Sequence, residues 1–151
     1  MRTLIALATL TFAAGASAEP LDYQLDKVHS QVHASVLHMG FSNSTARFAV
    51  KEGTISFDAA DVGSAKVDVT LNVAGIDLGD NTWQEHVSAE KWFNVAAFPD
   101  ARFVSTKVEK TGEKTMSVSG NLTLKGATVP VTLQATLNQA GPHPFSKKPA
   151  L

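Results

Sequence analysis

The fold is decided by residues 26–41, which read DKVHSQVHASVLHMGF. Apolar and polar side chains alternate along this stretch, with Val28, Val32 and Val36 in one phase. A period of two predicts an extended β-strand, and Gly40 predicts its end. The stretch therefore indicates a strand with an apolar face, as found in a barrel or a sandwich.

Three of the five histidines lie in this stretch, and the strand prediction decides what they can do. On a strand, His29 and His33 share a face but stand roughly 13 Å apart, too far to bind one metal ion together. His38 is in phase with the valines and points to the other face. The pattern thus argues against a local metal site and leaves His38 as a polar group among apolar ones.

Residues 1–18 have the features of a secretory signal peptide. A positive start at Arg2 precedes an apolar run over residues 4–14, and Ala16-Ser17-Ala18 provides a small-residue cleavage site. We expect cleavage after Ala18, a mature domain of residues 19–151 and, because the signal looks bacterial, a periplasmic location. The apolar run is short for a membrane span, and no later stretch is long and apolar enough for stable membrane insertion.

Composition excludes several classes of function. The chain has no cysteine, so disulfides, thiolate catalysis and cysteine-ligated zinc sites are excluded. The formal net charge is −1 and no basic cluster occurs, which argues against nucleic acid as a partner. The sequence contains neither a Gly-x-Ser-x-Gly nucleophile motif nor a glycine-rich phosphate loop.

Alternation continues downstream and predicts an all-β, antiparallel fold, either barrel or sandwich. The phase slips at Glu52-Gly53, which predicts a β-bulge there. Pro130 cannot donate a ladder hydrogen bond, so its amide side should lack a partner strand. Besides the first strand, the predicted strands span residues 46–57, 65–73, 102–108, 116–124 and 129–137.

One segment, residues 75–100, departs from the period of two. We expect a short helix, or a pair of helical turns, between Trp83 and Phe93. Thr82 and Glu85 have the spacing of a capping box at the start of such a helix. Because this segment carries both tryptophans, it could cover one end of a barrel.

The residues alone leave three interpretations open. His29, His38 and His86 could converge in the fold and form the metal site of an enzyme. A closed β-barrel of about eight strands could hold one small apolar ligand. The inward side chains could instead fill a solid core in an interaction protein with no ligand, and a cavity and a core look alike in a sequence.

Six motifs, in order along nearly the whole mature chain, resemble those of the YceI-like family of bacterial periplasmic polyisoprenoid-binding proteins. They are Asp26-x-x-His29-Ser30, residues 36–41 (VLHMGF), 53–58 (GTISFD), 80–87 (DNTWQEHV), 93–99 (FNVxxFP) and 120–128 (GNLTLKGAT).

The resemblance implies an extended, lipocalin-like antiparallel β-barrel without catalysis. It implies a non-covalently bound isoprenoid lipid, such as a polyprenyl chain or a quinone tail, as the ligand for transport, storage or stress response, and no other cofactor. With the strand phases, the ligand-binding residues are expected to be Val32, Val36, His38, Phe48, Phe57, Val67, Val69, Leu71, Trp92, Phe93, Leu122 and Leu133.

The chain departs from the family pattern at three places. His33 stands where members often carry an aromatic residue, so we expect it on the surface. Gln84-Glu85 replaces a common Arg-Asp pair, which removes a charge pair near the helix. Members also continue with further strands beyond the position of Leu151, so the sequence predicts an incomplete barrel whose open edge a strand from another chain, as in a homodimer, could complete.

Overall fold

The computed structural model describes residues 19–151, so the predicted signal peptide lies outside the described residues. The described part is built of antiparallel β-strands with one short helix. The strands are β1 (Leu21–Gln24), β2 (Gln31–His38), β3 (Ser42–Phe57), β4 (Lys66–Asp77), β5 (Asp100–Lys110), β6 (Thr115–Leu124), β7 (Ala127–Thr136), β8 (Gly141–Pro142) and β9 (Pro149–Ala150); the helix α1 is Asn81–Ser88, and a single 3₁₀ turn covers Val62–Ser64.

Seven strands form one sheet, in which six follow the order β1-β3-β4-β5-β6-β7 and the seventh, β2, also pairs with β3. The long strand β3 pairs with β2 over its first half and with β1 over its last four residues, both on the edge opposite β4. Strand β7 forms the other edge, and within residues 19–151 no ladder joins β7 to β1 or β2. Pro130 lies on this edge strand, which agrees with the expectation that its amide side lacks a partner.

A β-bulge in β3 confirms the predicted phase slip. The register with β4 shifts between Val50 and Glu52, so that Ile55 and Phe57 return to the face that Phe48 occupies. Gly53 lies beside the bulge and leaves room for the Leu25 side chain, because a Cβ at this position would stand 2.5 Å from Cδ1 of Leu25. The bulge thus keeps one face of β3 apolar from Ala46 to Phe57.

The hairpin between β6 and β7 also follows the sequence. Lys125 and Gly126 both have positive φ angles, 49° and 76°, which define a two-residue turn of the type that matches strand twist. The turn places Leu122 opposite Val129 in the ladder. The alternating apolar residues of both strands therefore share one face.

Two local predictions are wrong. Residues 28–30 form a turn instead of the start of β2, because Asp26 Oδ1 accepts hydrogen bonds from the amides of Val28 and His29. The helix is capped by Asp80, whose Oδ1 accepts from the Trp83 amide at 2.8 Å, and the Thr82-to-Glu85 box is not used.

The helical segment is also shorter than expected. Helix α1 ends at Ser88, and turns follow as far as residue 97. Backbone bonds from Phe93 to the Val87 carbonyl and from Val95 to the Ser88 carbonyl fold these turns back onto the helix. The segment is then joined to the sheet where the amides of Val73 and Ala74 both donate to the Pro99 carbonyl.

Candidate ligand-binding groove

The inner face of the sheet contains an open apolar groove of about 560 Å³. Strand β2 contributes one wall and β7 the other, so the sheet curls until its two edges face each other across the groove. This volume falls in the range that proteins use for small-molecule ligands. The groove is lined by Leu25, His29, Ser30, Gln31, Val32, Val50, Val67, Val69, Leu71, Phe103, Leu122, Val131 and Leu133.

The groove floor is a row of side chains that the strand register places side by side. Val69 pairs with Phe103 across β4 and β5, and Phe103 pairs with Leu122 across β5 and β6. The Phe103 ring lies over Gly120, where any Cβ would collide with the ring. A glycine at this position therefore lets a large aromatic ring lie flat in the floor and leaves the space above it open.

A second apolar hollow of about 420 Å³ continues the same face further along the strands. It shares Val67 with the groove and includes Phe57, one of the predicted binding residues. The two hollows therefore lie side by side on the inner face, separated at Val67. The second hollow is lined by Ile55, Phe57, Ala65, Val67, Val108, Met116, Val118, Ala135, Thr136, Leu137, Asn138, Gln139 and Leu151.

The opposite end of the inner face is filled. Phe48, Val73, Ile76 and Ala101 form a buried cluster, and Val73 is only 1% exposed. Phe93, from the turns after α1, meets Phe48 edge-to-face with ring centroids 6.1 Å apart. The helical segment thus closes this end with a solid core, as expected of a covering element.

The structure brings six of the twelve predicted binding residues together in the groove and one more in the adjoining hollow. Phe48 and Phe93 instead belong to the filled end. Val36 and His38 lie on the part of the β2–β3 hairpin that projects beyond β4, where both are exposed. Trp92 is half exposed, and its ring instead contacts the His86 ring at a tilt of 52° with the centroids 5.6 Å apart. The residues in the groove are Val32, Val67, Val69, Leu71, Leu122 and Leu133, and Phe57 lines the hollow.

The polar part of the groove was missed by sequence reasoning, which selected His38. Three consecutive residues, His29, Ser30 and Gln31, line the groove where the β1–β2 turn enters β2. His29 Nδ1 lies 2.7 Å from Asp26 Oδ2, and the pKa of Asp26 is lowered, first by this hydrogen bond and then by the Val28 amide. The spacing Asp26-x-x-His29 is the signal that could have predicted an aspartate-centred turn.

The outer face of the sheet carries the charged side chains. Arg102 donates to Asp68 through both Nε, at 2.8 Å, and a terminal nitrogen, and this bidentate pair lowers the pKa of Asp68 and raises that of Arg102. Lys51 pairs with Asp100 at 2.6 Å, which raises the pKa of Lys51. The sheet therefore separates an apolar concave face from a charged convex one.

The three histidines of the metal hypothesis do not converge. Among residues 19–151 no group of three histidine, cysteine or carboxylate side chains is close enough to hold a metal ion. His29 lies at the groove, His38 at the projecting hairpin and His86 on α1. In the same part of the chain, no helix has the length and apolar character to cross a membrane.

Similar solved structures define the class of protein. BcnA of Burkholderia cenocepacia superposes with a TM-score of 0.66 at 28% identity, covering 74% of this chain and 69% of that one. The YCEI protein of Campylobacter jejuni gives 0.63 at 27% identity, with 84% and 74% covered. The fold is thus that of the lipocalin-like β-barrel proteins.

Sequence comparison then identifies the family. The model of the YceI-like domain matches residues 23–149. A UPF0312 protein of Pseudomonas syringae pv. syringae is 39% identical over 93% of this chain and 74% of its own length, and protein YceI of Salmonella arizonae is 38% identical over 95% and 75%. The chain belongs to the YceI-like family.

Proposed function

We propose that this protein binds the chain of an isoprenoid lipid, a polyprenyl chain or quinone tail, non-covalently in the groove of its inner face. The observation that carries the proposal is the open groove between β2 and β7, whose lining is mainly valine, leucine and phenylalanine, together with the adjoining apolar hollow. A branched hydrocarbon chain is the ligand that such a lining favours, since burial of each CH₂ contributes roughly 0.8 kcal/mol.

The proposed role is binding without chemistry. The ligand would exchange water for the apolar floor, and no covalent step or cofactor is needed. We further propose that the mature protein, residues 19–151, works in the periplasm, where a carrier would shield an isoprenoid from water during transport or storage. Membership of the YceI-like family supports both proposals.

A second buried cluster, Phe103, Val108 and Val118, lies beside the open hollows. The alternative of a solid core with no ligand fits best at the end that α1 covers. There, Val73 and its neighbours leave no open space. Over the rest of the inner face, side chains of the same types surround open hollows. The groove therefore favours a ligand-binding protein over a solid-core interaction protein.

The test is mass spectrometry of an organic-solvent extract of purified protein, followed by titration of the delipidated protein with a long-chain polyprenol. We expect an isoprenoid in the extract and saturable binding of one chain. A protein that is folded but neither carries nor takes up any isoprenoid would overturn the proposal.

A matched pair of variants locates the binding. Val69→Asn places an amide in the groove floor, whereas Val104→Asn makes the same change on the adjacent strand at a position that does not line the groove. Both substitutions replace valine by a residue of lower β-propensity. Only Val69→Asn would also bury an unpaired polar group beneath the ligand. We expect a loss of polyprenol affinity of about five- to 150-fold for Val69→Asn alone, since such burial costs roughly 1–3 kcal/mol.

A further inference from the structure

The polar side chains that line the groove are grouped at one place. Of its thirteen lining residues, only His29, Ser30 and Gln31 are polar, and they are consecutive in the chain. They lie at the turn that leads into β2, beside the apolar contacts of Leu25 and Val32. Within the groove, a ligand chain would therefore meet polar groups only at this end, and the adjoining hollow has its polar residues, Thr136, Asn138 and Gln139, on β7 and the segment after it.

Hydrogen bonds on both sides define the conformation of the turn. Asp26 Oδ1 accepts from the Val28 amide at 2.9 Å and from the His29 amide at 3.3 Å, and the Ser30 amide donates to the Asp26 carbonyl at 2.8 Å. On the other side, the Leu25 amide donates to the Gly53 carbonyl beside the β3 bulge. The bulge therefore anchors the start of the turn next to the groove.

The hydrogen bond to Asp26 also selects the tautomer of His29. Because Asp26 Oδ2 is a carboxylate acceptor 2.7 Å from Nδ1, the proton of the neutral ring resides on Nδ1. Nε2 is then a hydrogen-bond acceptor, and among residues 19–151 it has no partner. The ring is 81% exposed, so a ligand at the groove entrance can reach it.

We infer that the Asp26–Ser30 turn is the head-group subsite of the groove, in which His29 Nε2 accepts a hydrogen bond from the hydroxyl of an isoprenoid alcohol or hydroquinone. Asp26 is the positioning residue that orients the ring and places the proton of the neutral imidazole on Nδ1, which leaves Nε2 as the acceptor. This inference rests on the proposed function and extends it, because it selects among isoprenoids by the hydrogen-bonding character of the head group.

The experiment compares ligands that share one chain. Farnesol can donate a hydrogen bond, farnesyl methyl ether can only accept one, and a farnesylated hydroquinone donates from a ring. Affinities are measured by calorimetry on delipidated wild-type protein at about pH 8.5, where a free imidazole is neutral. We expect farnesol to bind about three- to tenfold more tightly than the ether, as one hydrogen bond allows.

Two histidine variants make the test specific. His29→Phe keeps an aromatic ring but removes the acceptor, so we expect it to bind farnesol and the ether equally, at the affinity of the wild type for the ether. His33→Phe is the matched control, since His33 is exposed on the same hairpin and does not line the groove. It should keep the wild-type preference.

Asp26→Asn tests the positioning role with a readout that a purely structural role would not change. The asparagine carbonyl can still accept from the turn amides, but its amide group donates to Nδ1 and moves the ring proton to Nε2. We expect the preference for farnesol to be lost and the ether to bind more tightly than it does to the wild type, because both ligands can accept a hydrogen bond from Nε2–H. The farnesylated hydroquinone distinguishes an aromatic head group from an aliphatic alcohol. Only a subsite shaped for a ring would bind the hydroquinone more tightly than farnesol.

The outcomes separate this inference from the proposed function. Equal wild-type affinity for farnesol and the ether would overturn the head-group subsite while leaving the groove intact. The same loss in His33→Phe as in His29→Phe would also overturn it. Failure of all three ligands to bind would overturn the proposed function and the inference together.

Discussion

The two ends of the inner face are built from the same kinds of side chain and differ in what covers them. At one end, Phe48 and Val73 are buried beneath the turns that follow α1, and Phe93 fills the space between. At the other end, Val69 and Leu133 line a groove that no element of residues 19–151 covers. Apolar alternation therefore specifies a face, and the covering segment decides whether that face becomes core or binding site.

The largest expected effect is on the stability of the filled end. Phe48→Ala removes a buried ring and leaves a cavity, so we expect the free energy of unfolding to fall by about 3–5 kcal/mol. Leu133→Ala, in the groove, removes a side chain that is already 47% exposed, and we expect a loss of about 1 kcal/mol or less. Urea unfolding of both variants measures the contrast, and equal losses would contradict it.

The groove floor should respond to overpacking. Gly120→Ala places a methyl group against the Phe103 ring and about 2.5 Å from the Val104 carbonyl oxygen. We expect a loss of about 1–3 kcal/mol in stability and, because the ring must move up into the groove, weaker polyprenol binding. Urea unfolding and ligand titration give the two values. Unchanged ligand affinity in the folded variant would show that Phe103 is not part of the floor.

Weakening helix α1 should lower the stability of the protein without changing its affinity for polyprenol. Asp80→Ala removes the side chain that accepts a hydrogen bond from the Trp83 amide. We expect the free energy of unfolding to fall by about 1 kcal/mol, because the helix loses its N-cap. Asp80→Asn, which can still cap, is the control and should retain most of the stability. Thermal unfolding followed by circular dichroism measures both. If Asp80→Ala weakened polyprenol binding as strongly as it lowered stability, the two ends would not be independent.

The smallest expected effect lies on the charged outer face. The pKa of Asp68 is lowered by Arg102, so the pair stabilises the fold above the ordinary carboxyl value of 3.8 and loses that contribution as the pH falls through the lowered pKa. We expect Arg102→Gln to be slightly less stable than wild type at neutral pH and to match it in acid. A stability difference that persists in acid would show that the ion pair is not its cause. Both side chains are largely exposed, which keeps the effect small.

The alternation of apolar and polar residues predicted most of the sheet, because a strand that is buried on one face has apolar side chains at every second position. The phase of Val67, Val69 and Leu71 gave the inward side of β4, and the slip at Gly53 gave the bulge. The family resemblance added the barrel architecture, which the similar solved structures confirm. These features depend on local periodicity, which a single sequence contains.

The missed features depend on contacts that periodicity does not encode. Val28 continues the apolar phase of β2, yet Asp26 bonds to the local backbone and makes a turn of the same residues. The resulting turn brings His29 to the groove, while the projection of the hairpin beyond β4 takes His38 away from it. Phe48 and Val69 alternate identically in sequence, and only the folded position of the α1 segment shows which one is core.

The most direct test of the account is to map where a bound chain lies. The delipidated protein is loaded with a polyprenol that carries a photoreactive diazirine in its chain, irradiated, digested and analysed by peptide mass spectrometry. The account predicts labels on groove residues of β4, β6 and β7, such as Val69, Leu122 and Leu133, and their loss when unlabelled polyprenol competes. Competed labels on the outer face, or on the cluster around Val73, would contradict it.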